Sequence, residues 1–154
     1  MKLDSFDHHI LRVLQRDAST SMEALAERVH LSRNAAWRRV KLMEEAGVIT
    51  GRVAVTDAAK LGVPLMAVVL IHAGSHGPGW ADKFATAVRA LPQVVSAYRM
   101  TGDIDYLLRV RIADMAGYDR FYKELTSRVD ISDVSASFVM EEIVETTAVP
   151  VGEL

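Results

Sequence analysis

Five basic side chains fall within a stretch of 14 residues that contains no acidic one: Arg28, Arg33, Arg38, Arg39 and Lys41. Guanidinium and ammonium groups pair with the phosphates of nucleic acids. Arginine can also bond both acceptors of guanine in the DNA major groove, and an asparagine such as Asn34 can do the same for adenine. The residue types in this stretch are therefore suited to contact with double-stranded DNA.

The other polar residues form no recognisable catalytic group. The absence of cysteine excludes a thiol nucleophile, disulfides and thiolate metal sites. Glu141 and Glu142 are adjacent, so on a strand they face opposite sides. Asp103 and Asp105 lie on a predicted turn with no histidine or nucleophile close in sequence. With no metal-ligand spacing or phosphate-binding glycine loop either, we expect no enzyme activity, no cofactor and no metal.

Charge is distributed unevenly along the chain. The 154 residues have a formal net charge of −2 at pH 7, which taken alone argues against a nucleic-acid partner. Residues 1–56 contain nine basic and seven acidic side chains, whereas residues 57–154 contain nine and thirteen. The first segment is therefore mildly basic and the second acidic, and a local basic surface is sufficient for a DNA-binding helix.

Composition and hydropathy limit the class of protein. Half of the residues are hydrophobic and a quarter are charged, which favours a packed core over disorder. No apolar run is long enough to cross a membrane, and the N-terminus lacks the apolar region of a secretory signal. The sequence therefore predicts a soluble, cytoplasmic protein without a membrane partner.

Helical periodicity predicts two helices before residue 31. Apolar residues recur on one face over Ser5–Arg16, and either Asp4 or Ser5 can cap the start of this helix. Thr20-Ser21-Met22-Glu23 fits a capping box in which Thr20 is the N-cap. This box predicts a short second helix that ends near His30.

A third helix is predicted from its cap and its two faces. Ser32 is the expected N-cap, and Gly47 is the expected glycine beyond the C-terminus. The inward face is apolar, and the outward face contains Arg33, Asn34, Arg38 and Lys41. Two short helices joined by a tight turn, with the second basic on its exposed face, are typical of a helix-turn-helix.

The predicted DNA contacts lie at the start or on the exposed side of this third helix. They are Ser32, Arg33, Asn34, Trp37, Arg38, Arg39 and Lys41. Two simpler interpretations stay open at this point. A basic helix face can be merely solvated, and Trp37 can pack within the domain instead of stacking on the DNA backbone.

The segment after Gly47 divides the chain. Residues 48–55 are short and β-branched and predict a strand that leaves the DNA-binding unit. The boundaries are therefore a DNA-binding domain at 1–56, a linker at 57–63 and a second domain at 64–154.

The second domain alternates strand and helix patterns. Strands are predicted at 64–73, 94–101, 106–112 and 134–149, and helices at 80–91 and 114–128, with a glycine-rich loop at 74–79. The order βαββαβ is that of a ferredoxin-like split βαβ fold, in which both helices cover one face of the sheet. The fold class is α+β, with a three-helix, winged-type helix-turn-helix followed by this sheet domain. The apolar open face favours a second copy as its cover.

These residues together resemble the Lrp/AsnC (leucine-responsive, feast/famine) transcriptional regulators over nearly the whole chain. The similarity is carried by the first helix, by Arg39-Val40-Lys41 with Glu44-Glu45-Ala46-Gly47-Val48-Ile49, by Thr101–Tyr106, and by Val139-Met140-Glu141-Glu142. The resemblance implies homodimers that assemble further into tetramers or octamers. It also implies an amino-acid effector bound between neighbouring C-terminal domains.

The resemblance places the effector site on the loop between the second and third strands, with a contribution from the last strand. The implied residues are Met100, Thr101, Gly102, Asp103, Asp105 and Ala136. Gly102 would let backbone approach a ligand, and a carboxylate can meet an α-ammonium group. Val134–Ser137 lacks the threonines found in some members, so the ligand is not specified. Taken alone, the loop is a polar hairpin turn.

Two other functions remain open from the sequence. Siroheme decarboxylases resemble the same family but act on a tetrapyrrole, and this chain shows no aromatic-asparagine motif for that ligand on its strands. The chain could also be an amino-acid-binding or assembly module whose helical domain does not touch DNA.

Overall fold

The computed structural model describes residues 1–75 and 77–152, and these residues divide into two compact units. One contains Met1–Ala54 together with residues 144–152, and the other contains the described residues of Val55–Ile143. The sequence assigned everything from residue 64 to the second domain. The structure instead groups the tail after Ile143 with the N-terminal helices.

The helical unit contains α1 (Ser5–Arg16), α2 (Met22–Arg28) and α3 (Arg33–Glu45). Apolar residues from all three helices meet in one core. Its fully buried members include Ile10, Leu25 and Met43. The predicted span of α1 is confirmed, and Asp4 is its N-cap.

The start of α2 differs from the prediction by one residue. The predicted N-cap Thr20 is wrong, because the Ser21 side chain accepts the Ala24 N–H and caps the helix. The Thr20 hydroxyl instead donates to the Asp17 carbonyl at 2.9 Å. Thr20 therefore belongs to the turn that ends α1, and Ser21 caps α2.

The turn between α2 and α3 is set by its backbone. His30 has a φ of 55°, a left-handed conformation that is uncommon for residues with a side chain. The Leu31 N–H donates to the Ala26 carbonyl at 2.9 Å and closes the turn. Ser32 caps α3 as predicted, and Gly47 follows the helix with a φ of 70°.

The strand predicted at residues 48–55 does not form. Val53 and Val55 are 76% and 87% exposed. A β-branched run becomes a strand only where another backbone pairs with it. The sequence pattern was therefore insufficient to predict a strand.

The second unit has the predicted order of elements. It contains β1 (Leu65–Ala73), α4 (Pro78–Arg89), β2 (Val94–Arg99), β3 (Tyr106–Ile112), α5 (Met115–Arg128) and β4 (Ile131–Phe138). The sheet order is β2-β3-β1-β4, and all three pairings are antiparallel. The ferredoxin-like βαββαβ prediction is confirmed. Residue 76 of the predicted glycine-rich loop lies outside the described residues.

Both helices pack on one face of this sheet. The core joins Val69 and Leu108 of the central strands to Phe84 of α4 and Phe121 of α5. Alternation along β1 places Val68 and Leu70 on the opposite face, where they are half-buried.

The last strand is shorter than the predicted 134–149. In β4, Phe138 pairs with Ala67, and the Val139 N–H makes a further bond to the Met66 carbonyl. Because β1 begins at Leu65, the partner backbone ends there. Beyond Val139 the apolar pattern therefore has almost no β1 backbone left to pair with.

No helix in the described part of the chain is both long and apolar enough to span a membrane.

Candidate nucleic-acid interface and ligand loop

The third helix packs its apolar face against the other two helices. Ala36, Val40 and Met43 are buried against α1 and α2. The helical repeat therefore turns Asn34, Arg38 and Lys41 away from the core, and all of them are exposed. These residues form what we call the outward face of α3.

Arg39 lies at the edge of α3 that contacts α1. Its Nη1 atom is 2.8 Å from Asp4 Oδ2 and 2.8 Å from Asp7 Oδ1, and its guanidinium lies 5.4 Å from the Phe6 ring centroid. The Arg39 side chain is 26% exposed and that of Asp7 only 3%. The two acidic partners raise the pKa of Arg39, Asp7 by the larger amount. Arg39 therefore acts as a structural link between α1 and α3.

Asp7 is a residue that the sequence reasoning missed. It is the buried charged residue of α1, and its side chain also accepts the Asp4 N–H in a reciprocal capping box. The sequence did contain a signal for it: Asp7 lies on the same face of α1 as the apolar residues Ile10 and Leu14. Such a residue calls for a cationic partner.

Arg33 forms an ion pair with α2. Its Nε atom lies 2.9 Å from Glu23 Oε1, and both side chains are well exposed. An exposed pair of this kind contributes little to stability. Arg33 can therefore exchange its carboxylate for a phosphate at low cost.

Arg38 and Lys41 differ from the other two basic residues of α3. Neither forms an ion pair with any residue in the described ranges 1–75 and 77–152. Their charges are therefore available to an external anion.

Trp37 is exposed rather than packed. Its exposed fraction is 56%, which favours the contact interpretation over burial in the domain. It borders an open groove of the helical unit that is also lined by Met22, Lys41 and Arg52. A large exposed ring beside a lysine suits contact with a sugar-phosphate backbone.

Ser32 lies at the N-terminus of α3, where its Oγ accepts the Ala35 N–H at 3.2 Å. The side chain is exposed, so the hydroxyl proton remains free to donate. The first turn of a helix also favours anions. The structure thus brings the seven predicted DNA contacts onto one helix, with Arg39 turned towards α1.

The loop between β2 and β3 is closed by backbone hydrogen bonds. The Met100 N–H donates to the Asp105 carbonyl at 2.8 Å, and the Asp105 N–H donates to the Ile71 carbonyl at 3.1 Å. Asp105 Oδ2 accepts the Ala73 N–H at 2.9 Å. Asp105 therefore fixes the loop against the end of β1.

The rest of this loop is open to solvent. Thr101, Gly102 and Asp103 are exposed, and Met100 is half-exposed. Gly102 has a φ of 107°, and no atom lies within 4 Å of where its Cβ would be. The backbone conformation, and not crowding, is what requires glycine there.

Ala136 occupies a different environment from the loop. It pairs with Val69 in β4 and packs against the helix-side core of the sheet. Among the described residues, no group of three or more metal-ligating side chains comes together.

Family models match both halves of the chain. Residues 66–149 match the Lrp/AsnC ligand binding domain, and residues 3–50 match a winged helix-turn-helix DNA-binding domain.

Relatives over nearly the full length are named transcriptional regulators rather than enzymes. The chain is 46% identical over 152 residues to a glutamate uptake regulatory protein of Zymomonas mobilis, covering 99% of this chain and 93% of that protein. It is 44% identical over 150 residues to the DNA-binding transcriptional activator DecR of Escherichia coli, covering 97% and 99%.

A solved structure shows the same fold. A transcriptional regulator of Neisseria meningitidis in complex with L-Met superposes with a TM-score of 0.93 at 33% identity, covering 97% of each chain. Together with the two matched domains and the arrangement of helices and sheet, these similarities establish that the chain belongs to the Lrp/AsnC family of transcriptional regulators.

Proposed function

We propose that this chain is a cytoplasmic, sequence-specific DNA-binding regulator whose activity responds to an amino acid. The observation that carries the DNA-binding part is the outward face of α3. It presents Asn34, Arg38 and Lys41 to solvent while the neighbouring Arg39 is held by carboxylates. Arg38 and Asn34 have the side-chain geometry to bond guanine and adenine edges, and Lys41 pairs with phosphate.

The proposed DNA-bound form is a homodimer. Val68 and Leu70 leave the sheet with an apolar patch on the side away from its helices, and a second copy of the sheet is a suitable cover. A dimer would place two copies of α3 in successive major grooves, about 34 Å apart for this docking class. Further assembly of dimers into tetramers or octamers would raise DNA affinity through avidity.

The proposed effector site is the loop from Met100 to Asp105. Its exposed backbone around Gly102 and the carboxylate of Asp103 are suited to the two charged groups of an amino acid. Asp105 has a positioning role, because it bonds the end of β1. The effector would act by binding one assembly more tightly than another.

A thermal-shift screen of the twenty amino acids tests the effector proposal. A ligand at one hundred times its dissociation constant stabilises the native state by about 2.7 kcal/mol, so a true effector gives a clear rise in melting temperature. We expect one amino acid, or a few chemically related ones, to raise the melting temperature. If all twenty leave the melting temperature unchanged, the amino-acid effector is excluded.

Gly102→Ala then tests the loop. A side chain at a φ of 107° strains this backbone, so we expect loss of the thermal shift with retention of DNA binding. Gly51→Ala is the matched control, since Gly51 has open space and no left-handed φ. An unchanged ligand response in Gly102→Ala would place the effector elsewhere.

A further inference from the structure

The end of the chain lies along the first helix of the helical unit. Gln15 Nε2 donates to the Val149 carbonyl at 3.1 Å, and the Val149 N–H donates to Gln15 Oε1 at 2.7 Å. One side-chain amide thus satisfies both backbone groups of one residue, as a neighbouring β-strand would. This mode of binding recognises an extended backbone and not a particular side chain at residue 149.

Further contacts continue towards the start of α1. Arg12 Nη2 donates to the Val151 carbonyl at 3.2 Å, and the Val151 side chain packs against the core of the helical unit. A Cβ at Gly152, where φ is 96°, would lie 3.0 Å from Arg12 Nη2 and 3.6 Å from His8 Nδ1. The segment therefore runs antiparallel to α1 across residues spaced by about one turn.

The same tail is held at its other end by the sheet unit. After β4, Glu142 Oε1 lies 2.6 Å from Nη2 of Arg111, whose side chain is mostly buried. Between Glu142 and Val149 the tail exposes its apolar residues Ile143 and Val144. Glu142 is therefore fixed within the sheet unit, and the contacts of Val149 and Val151 lie within the helical unit.

We propose that the face of α1 formed by His8, Arg12 and Gln15 is a binding site for the extended segment Val149–Gly152 of the same chain. This segment, the C-terminal strap, connects the last strand of the sheet to the DNA-binding unit and can be released. Three hydrogen bonds and one half-buried side chain make a contact of the size that opens locally without global unfolding.

Amide hydrogen exchange at Val149, measured on the full chain without DNA, tests the docking. Gln15→Ala removes both hydrogen bonds to Val149, so exchange at Val149 should become about five- to hundredfold faster, the range expected for two hydrogen bonds. Arg16→Ala is the control, because Arg16 is the exposed neighbour of Gln15 and makes none of these contacts. A Val149 amide that exchanges in the wild-type protein as fast as in an unfolded peptide would overturn the proposal.

The absence of native cysteines allows the origin of the strap to be tested by crosslinking. In Arg16→Cys/Val149→Cys, a short bismaleimide should join the two cysteines within one chain. Both replaced side chains lie outside the contacts, since Val149 is 65% exposed and is held through its backbone. Adding Gln15→Ala should slow the crosslink severalfold. A crosslinked dimer on a denaturing gel would show that the strap comes from a second copy and would overturn the assignment to the same chain.

A consequence for DNA binding rests on the proposed function. Release of the docked strap should weaken DNA binding severalfold, because a free segment next to α1 adds an ordering cost to the bound state. Val149→Pro removes the N–H that Gln15 accepts, while Val149→Ser keeps it and serves as the control. If the wild-type protein binds no DNA, the proposed function fails while the exchange result still stands. If it binds DNA and Val149→Pro is indistinguishable from Val149→Ser, the strap has no role in that binding.

Discussion

Two consecutive arginines of α3 have opposite surroundings. Arg39 lies between Asp4, Asp7 and the ring of Phe6, whereas Arg38 points to solvent and pairs with no acid among the described residues. A helix turns by about 100° per residue, so one step along the chain moves a side chain from the packed edge to the open face. A basic cluster in a sequence therefore contains residues that hold the domain together and residues that are free to bind an anion.

The largest expected effect comes from removing the packed arginine. Arg39→Ala leaves the carboxylate of Asp7, with only 3% of its side chain exposed, without its cationic partner. Stranding one partner of a buried pair is strongly destabilising, and because Arg39 itself is partly exposed we expect about 3 kcal/mol of lost unfolding free energy. Urea denaturation measures it.

Arg38→Ala is the matched stability control for that experiment. An exposed residue without a folded-state partner should change the unfolding free energy by less than about 0.5 kcal/mol. If both variants lose equal stability, the distinction between the packed edge and the outward face is wrong.

The next largest expected effect is on the affinity for DNA. Arg38→Ala should weaken binding to a selected double-stranded operator by about 1–3 kcal/mol, as for an arginine that bonds a base, and should relax the preference at one position of the site. Binding curves on the selected site and on single-base variants measure both. An affinity equal to that of the wild type would remove Arg38 from the interface.

A smaller effect on stability is expected at the N-terminus of α3. Ser32→Ala removes the side chain that accepts the Ala35 N–H and should cost about 1 kcal/mol of stability. Ser32→Asp is the comparison variant, because it retains the cap but places a negative charge where a phosphate would bind. We expect Ser32→Asp to preserve stability and to weaken DNA binding. If its DNA binding is unchanged, the phosphate binds elsewhere.

The smallest expected effect is on the stability of the protein at low pH. The Asp7 N–H, and secondarily the side chain of Arg39, lower the pKa of Asp4 below its ordinary 3.8. Because the folded pKa is the lower one, the stabilisation is present above pH 3.8 and is lost as pH falls through the folded value. Asp4→Asn should therefore flatten the fall in melting temperature below about pH 4. A profile that stays parallel to the wild type would contradict this.

Local patterns were sufficient to predict most of the elements, but not the contacts between distant segments. The span of α1, the Ser32 cap and the order of strands follow from periodicity and capping chemistry. The pairing of Arg39 with Asp7 depends on how two helices pack, which spacing along the chain does not specify.

The same limit applies to the loop and the tail. Asp103 and Asp105 look alike in sequence, yet Asp105 bonds the end of β1 because β3 starts immediately after it. The predicted strand at 134–149 ends at residue 138 because β1 offers no backbone beyond Leu65. Both outcomes are set by where partner strands begin and end.

The most direct test of the outward face is the salt dependence of DNA binding by the wild-type protein and by Lys41→Ala. Each phosphate contact contributes about −0.9 to the slope of log K against log salt concentration. If Lys41 meets a phosphate, the wild type shows a steep slope, and Lys41→Ala binds more weakly on all sequences with a slope reduced by about one. A wild-type affinity that does not change with salt, or identical slopes for the two proteins, would contradict the account.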